Sequence, residues 1–140
     1  MFAKYFEDFE PLEEFDKEFV SLWDGWLGEE NLHKLDEVTV KEFERFNTWI
    51  RLIYKNFNIL EVNLKTETLA EISDVESILS DFESSQDKTS ADFFKIVVPE
   101  LECIISEEWD FTYIIWHKNN GAVDRLSSSI MDAELNSFSE

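Results

Sequence analysis

Apolar residues recur along this chain with two different periods. Between Pro11 and Gly28, the residues Leu12, Phe15, Phe19, Leu22 and Trp26 are separated alternately by three and four positions, the interval that lines up side chains on one helical face. Pro11 suits a first helical position and Gly28 suits the stop, so the spacing predicts a helix with one buried face. A second helix is predicted after Thr39, a good N-cap. There Phe43, Phe46, Ile50, Ile53 and Phe57 repeat the spacing, while Trp49, Leu52 and Tyr54 widen the stripe until it can touch neighbours on two sides. Between the two, residues 31–37 fit one further helical turn. Ser73 followed by Glu76 matches a capping box, with Val75, Ile78, Leu79 and Phe82 along one side of a short helix and residues 84–90 as a polar loop.

From Phe93 the period changes. FFKIVVP, LECIIS and DFTYIIW are β-branched and aromatic runs separated by Pro99 and by the acidic EEWD, which predicts adjacent antiparallel strands. The third run is apolar on both faces at Tyr113, Ile114, Ile115 and Trp116, as an inner strand should be. Asn119, Asn120 and Gly121 form a turn. A last helix follows with Val123, Leu126, Ile130 and Met131 as its apolar side, and the tail either docks through Leu135 and Phe138 or frays. The expected fold class is α+β, with N-terminal helices packed together and against a small antiparallel sheet, and a C-terminal helix.

Composition changes this picture in one respect, charge. The 140 residues suffice for a single globular domain spanning 1–140. The formal net charge is -20, yet 44% of the residues are apolar and 21 are Phe, Trp or Tyr, which separates the chain from a disordered acidic tail. The charge is uneven: residues 1–38 carry a net -9, residues 39–60 a net +2, residues 61–110 a net -11 and residues 111–140 a net -2. The second predicted helix is therefore the expected central element. With 32 acids against 12 bases, direct contact with nucleic acid or anionic lipid is not expected. Neither the N-terminus nor any later stretch has the pattern of a secretory signal or a membrane span, so the expected setting is the cytoplasm, with no membrane contact.

Candidate chemistry is sparse. A single cysteine, Cys103, rules out an internal disulfide, and with only His33 and His117 beside it no zinc cluster or other cofactor is expected. Cys103 reads as core, and the histidines as surface or capping residues lacking the orienting partner that a catalytic base needs. Glu107, Glu108 and Asp110 flank Trp109 and resemble a carboxylate pair for acid–base work, but without a nucleophile the solvated-turn reading is preferred to catalysis, and no enzyme is expected. The acids Asp74, Glu76, Asp81, Glu83 and Asp87 alone read as the wet face of a helix. Together with Glu100, Glu102, Glu107, Glu108 and Asp110 they make an extended negative surface, for which a partner site and a solvated face weigh equally. Trp109 and Trp26 fit exposed anchors of the kind enriched at interfaces.

The residues FFKIVVPELECIISEEWDFTYIIWHKNNGAVDRLSSSIMDAELNSF, from Phe93 to Phe138, resemble the strand–strand–helix ending of small bacterial immunity proteins associated with contact-dependent growth inhibition. The resemblance implies a cytoplasmic partner for a toxin domain delivered by a neighbouring cell. The expected function is that of an acidic immunity protein that binds a basic toxin domain, a nuclease above all, and covers its active or substrate-binding site. The alternative is a nucleic-acid mimic, such as an antirestriction or CRISPR-blocking protein. Mimicry requires long regular acidic rows matching about one charge per 1.7 Å of duplex axis, whereas these acids cluster between apolar strands.

Overall fold

The computed structural model describes residues 1–85 and 93–140 of the chain. Seven antiparallel strands form one sheet: β3 (Asp16–Ser21), β4 (Leu60–Asn63), β5 (Thr68–Glu71), β6 (Lys95–Val98), β7 (Cys103–Glu108), β8 (Thr112–His117) and β9 (Asn136–Phe138) lie in the order β5-β4-β6-β7-β8-β3-β9. A separate two-stranded hairpin pairs β1 (Phe6–Glu7) with β2 (Glu10–Pro11). The helices are α1 (Val40–Asn56), α2 (Phe82–Ser85) and α3 (Asn120–Asp132), with 3₁₀ segments at Glu29–Glu37 and Val75–Ile78. The class is α+β, but the sheet is larger than expected and the helices are not mainly N-terminal.

The helix α1 follows its sequence pattern closely. The Thr39 side chain accepts from the Glu42 backbone N–H while Glu42 reaches back to the Thr39 N–H, a complete capping box. Phe46, Trp49, Ile50 and Ile53 are fully buried against one sheet face, where they meet Val20, Ile96, Cys103, Ile105, Tyr113 and Ile115. The ring of Phe46 stacks on Tyr113 at 4.5 Å, and Trp49 Nε1 donates to Ser129 Oγ of α3 at 3.0 Å, so α1 does touch neighbours on two sides. Within α3, Asn119 caps the first turn by accepting from Gly121 N–H at 2.9 Å. A Cβ at Gly121 would lie 2.8 Å from that Asn119 oxygen, which accounts for glycine there. The buried side of α3 is Ala122, Leu126 and Ile130. Met131, expected on it, is 75% exposed, because the helix turns it away from the sheet.

The predicted helix from Pro11 to Gly28 does not form, and with it goes the expected packing of two N-terminal helices. Pro11 belongs to β2, and residues 16–21 are β3, hydrogen-bonded between β8 and β9. The reason is burial on both faces: Val20 contacts the helix layer while Phe19 faces the other way, stacked with Phe138 at 5.7 Å. A one-faced helix cannot bury adjacent residues in opposite directions, whereas an inner strand does so naturally. The three expected C-terminal strands are β6, β7 and β8, and β8 is an inner strand. The tail docks through buried Leu135 and through β9. Where a capping box at Ser73 was expected, Asp74 instead caps the short 3₁₀ turn by accepting from Glu76 N–H.

The other sheet face is partly covered by the N-terminal segment. Tyr5, Phe6 and Phe15 pack there on Leu60, Val97 and Ile104 in a second, smaller core. The expected polar loop at residues 84–90 and the expected site residue Asp87 fall largely or wholly outside the described residues.

Truncating Phe46 to Ala should lower the unfolding free energy by about 3 to 5 kcal/mol, the usual cost of removing a buried ring. Denaturant titration measures this, and a loss under about 0.5 kcal/mol would contradict the central place of α1.

Candidate functional site

One end of the sheet gathers exposed rings and carboxylates. The β7–β8 hairpin turns through Trp109, Asp110 and Phe111, and both Asp110 and Phe111 have positive φ, at 60° and 56°. Bulky residues rarely adopt that region. Phe111 is held in it by ring contacts to Trp23, Phe43 and Phe82 at 6.2 to 6.5 Å, and by Ser21 Oγ donating to its carbonyl at 3.2 Å. With Phe111 turned inward, Trp109 and Asp110 are thrown outward. Trp109 is 50% exposed and rests edge-on against Phe93 at 4.6 Å.

Two adjoining cavities meet at this turn and share Leu35, Trp109 and Asp110. One, of about 180 Å³, lies under Trp26, Leu32 and Trp109, which are 58%, 50% and 50% exposed. The other, of about 250 Å³, is bordered by Asp36, Glu107, Glu108 and Asp110 and walled by aromatic rings including Phe43, Phe111 and Tyr113. Among the described residues no Lys or Arg lines either cavity. Carboxylates set among aromatic faces are chemically suited to a guanidinium or ammonium group, which both attract. The neighbouring apolar cavity suits a hydrophobic side chain beside that cation.

Glu107 differs from its neighbours and departs from its expected place on the acidic surface. It is buried, because the strand alternation points it into the helix layer, where its carboxylate accepts from Ser80 Oγ at 2.6 Å and from Phe94 N–H at 3.0 Å. This carboxylate ties the segment before α2 and the start of β6 to β7. Burial, with the Glu107 charge adding to it, pushes the Tyr113 phenol well above its ordinary range, so the hydroxyl stays neutral. Glu108 points to the opposite sheet face and accepts from Ser106 Oγ at 2.9 Å. Asp81 and Glu83 are exposed and flank Phe82, whose ring touches Phe111, so they belong to the same end of the molecule.

The remaining expected residues lie apart. Glu100 and Glu102 sit in the β6–β7 connection, at the far end of the six-residue strand β7, roughly 20 Å from the turn at about 3.3 Å per residue. Glu100 pairs with Arg125 at 3.8 Å, and Glu102 with Lys4 and Lys118 at 3.9 and 4.0 Å. Asp74 is a cap. Glu76 makes two hydrogen bonds to Arg51 at 2.7 and 2.8 Å, which hold its carboxyl below the usual range. The expected acidic surface is thus divided, with Asp81, Glu83, Glu108, Trp109 and Asp110 at one end. Leu32, Leu35 and Asp36 join them from the 3₁₀ segment, where the LHKLDE run was the available signal.

Chemistry elsewhere is quiet. Cys103 is buried, and desolvation pushes its thiol up to about 12. His117 is buried and its Nδ1 lies 2.9 Å from the Asn119 carbonyl, joining β8 to α3. Among the described residues no group of His, Cys, Asp and Glu is placed to hold a metal ion, and no helix is long and apolar enough to cross a membrane. Comparisons with protein-family models, with curated proteins and with solved structures find no match for the chain.

Glu107→Ala should cost roughly 3 kcal/mol, since it strands two buried donors at about 1 to 3 kcal/mol each. Asp110→Asn should stay within about 0.5 kcal/mol, because Asn also tolerates positive φ. Similar losses for the two variants in urea would contradict the opposite burial of these neighbours. Cys103 should resist iodoacetamide at pH 9 in the folded protein and react once unfolded, because a thiol raised to about 12 holds almost no thiolate there. Rapid alkylation of the native protein would contradict its burial.

Proposed function

We propose that this protein is an acidic inhibitor that binds a basic protein toxin domain, with a nuclease as the leading candidate, and neutralises it by covering its active or substrate-binding site. The observation that carries this reading is the Trp109 corner: the exposed carboxylates of Asp36 and Asp110 and several aromatic rings border a cavity of about 250 Å³ with no Lys or Arg among its described lining residues, beside a smaller cavity under three exposed apolar side chains. That arrangement favours a partner loop carrying Arg or Lys next to an apolar residue. Desolvated aromatic anchors with a charged rim are the usual composition of strong contact centres.

Net charge supports the same reading through kinetics. A charge of -20 accelerates encounter with a basic surface, and that acceleration fades as salt screens charges beyond about 10 Å at 0.1 M. The resemblance of residues 93–138 to immunity proteins of contact-dependent growth inhibition points to a toxin rather than to a housekeeping partner.

The test is capture from the source cells at moderate salt, followed by stopped-flow association with the purified partner. One stoichiometric basic partner is expected, with an on-rate that falls at least tenfold between 50 and 500 mM salt. Trp109→Ala, and separately the joint change of Asp36→Asn and Asp110→Asn, should weaken binding at least tenfold. Neutralising Glu10, Glu13, Glu14 and Glu18 to Gln should slow association only modestly. Capture of several DNA-handling enzymes would favour mimicry instead, and a corner whose variants bind normally would refute the assigned site.

A further inference from the structure

A further cavity, larger than the two at the Trp109 corner, lies on the sheet face that α1 does not cover. It is an open cleft of about 970 Å³, floored by β6, β7 and β8 and walled by residues 9–15 on one side and by the β4–β5 turn on the other. Ligand sites commonly enclose about 300 to 1,000 Å³. Its walls are apolar, with Phe9, Leu12, Phe15, Val62, Leu64 and Phe93, and its floor is polar and fixed on strands. Trp116 Nε1 donates to Ser106 Oγ at 2.9 Å, and Ser106 Oγ donates in turn to Glu108. Lys95 stands opposite Ser106 in the ladder, and Lys17 stands opposite Trp116 with its ammonium 5.0 Å from the indole centre.

The charge of this cleft departs from that of the chain. Lys17, Lys65 and Lys95 line it against Glu10, Glu13 and Glu108, an even balance in a molecule whose acids outnumber its bases 32 to 12. Glu10 and Glu13 are exposed at the rim, and Glu108 is already engaged by Ser106. Lys17 and Lys65 form no ion pair among the described residues. Lys95 is half-buried, and desolvation lowers its pKa against the opposing pull of Glu108 and Glu107, which an anion beside it would reinforce.

Phe9 adds a third observation. The two-residue β1–β2 turn is Asp8–Phe9, and both residues have positive φ, at 51° and 68°. Turns of this form favour Gly at the second position. Phe111, in a similar conformation, is fastened by three rings. Phe9 is 63% exposed and has no ring partner among the described residues, yet its side chain borders the cleft mouth.

We infer that this cleft is a binding site for a small amphipathic organic anion, a carboxylate or sulfonate with an aliphatic or aromatic body, whose apolar part lies along Trp116 and the walls and whose charged group meets the lysines. The cleft adjoins the proposed toxin-binding corner through Glu108 and through Phe93, which touches Trp109, but the inference does not rest on the toxin-binding reading.

The test uses the full chain and an uncharged reporter, N-phenyl-1-naphthylamine, whose fluorescence rises on entering an apolar cleft. Decanoate and decyltrimethylammonium, which share a tail and differ in head charge, then compete for it. Decanoate should displace the dye at a concentration at least tenfold below that of the cation, although a net charge of -20 favours the cation everywhere else on the surface. Lys17→Gln and Lys65→Gln, both at exposed positions, should together reduce that preference at least threefold. Phe9→Gly should weaken dye binding several-fold without lowering stability, which separates a binding role from a structural one. Trp26→Ala, at the other site, should change none of these values. Failure of the dye to bind saturably, equal or better displacement by the cation, or a preference unchanged in the lysine variant would overturn the inference.

Discussion

Everything in this molecule rests on the packing of α1 across the middle of the sheet. A domain with 32 carboxylates pushes itself apart, and the opposing force must come from apolar burial. The ring stack of Phe46 on Tyr113 and the burial of Trp49, Ile50 and Ile53 supply it along the one segment of the chain whose net charge is positive. Placing the least acidic element at the centre keeps the self-repulsion at the periphery, where water and salt screen it. The tie from Glu107 to Ser80 and Phe94 then fastens the rim of this core at the end where the exposed rings lie.

How much of this was legible follows from how locally each element is specified. The helix α1 carries its own cap and stripe, and β6, β7 and β8 are made of β-branched runs with hard breaks between them, so both were readable. The strand β3 was not. Phe15 and Phe19 are four apart, an even number that keeps them on one face in a strand as well as nearly so in a helix, and only Val20 beside Phe19 distinguishes burial on two faces from burial on one. The strands β4 and β5 escaped because Glu61, Asn63, Thr68 and Glu71 give an edge hairpin a polar profile, and edge strands are commonly blunted this way.

The candidate site was legible to the same partial degree. Trp109 and Asp110 announced themselves as an aromatic in an acidic turn. The inward orientation of Glu107 depends on strand register, and that register is set by partners across β6 and β8 rather than by its neighbours in sequence. Leu35 and Asp36 reach the corner through the docking of a 3₁₀ segment against a hairpin about 75 positions later, a long-range contact to which no local period corresponds.

The inward fastening of Phe111 has a consequence for how the corner meets another molecule. A hairpin tip bearing a large ring usually samples many orientations, and association must then freeze them, at about 0.5 to 1.5 kcal/mol for each immobilised side chain. Here the backbone at Asp110 and Phe111 is already locked by the contacts of Phe111 with Trp23, Phe43 and Phe82, and Trp109 already leans on Phe93. The ordering entropy is therefore spent when the chain folds, so any molecule that docked on the corner would find it preorganised, and slow dissociation would be attainable from a small contact area.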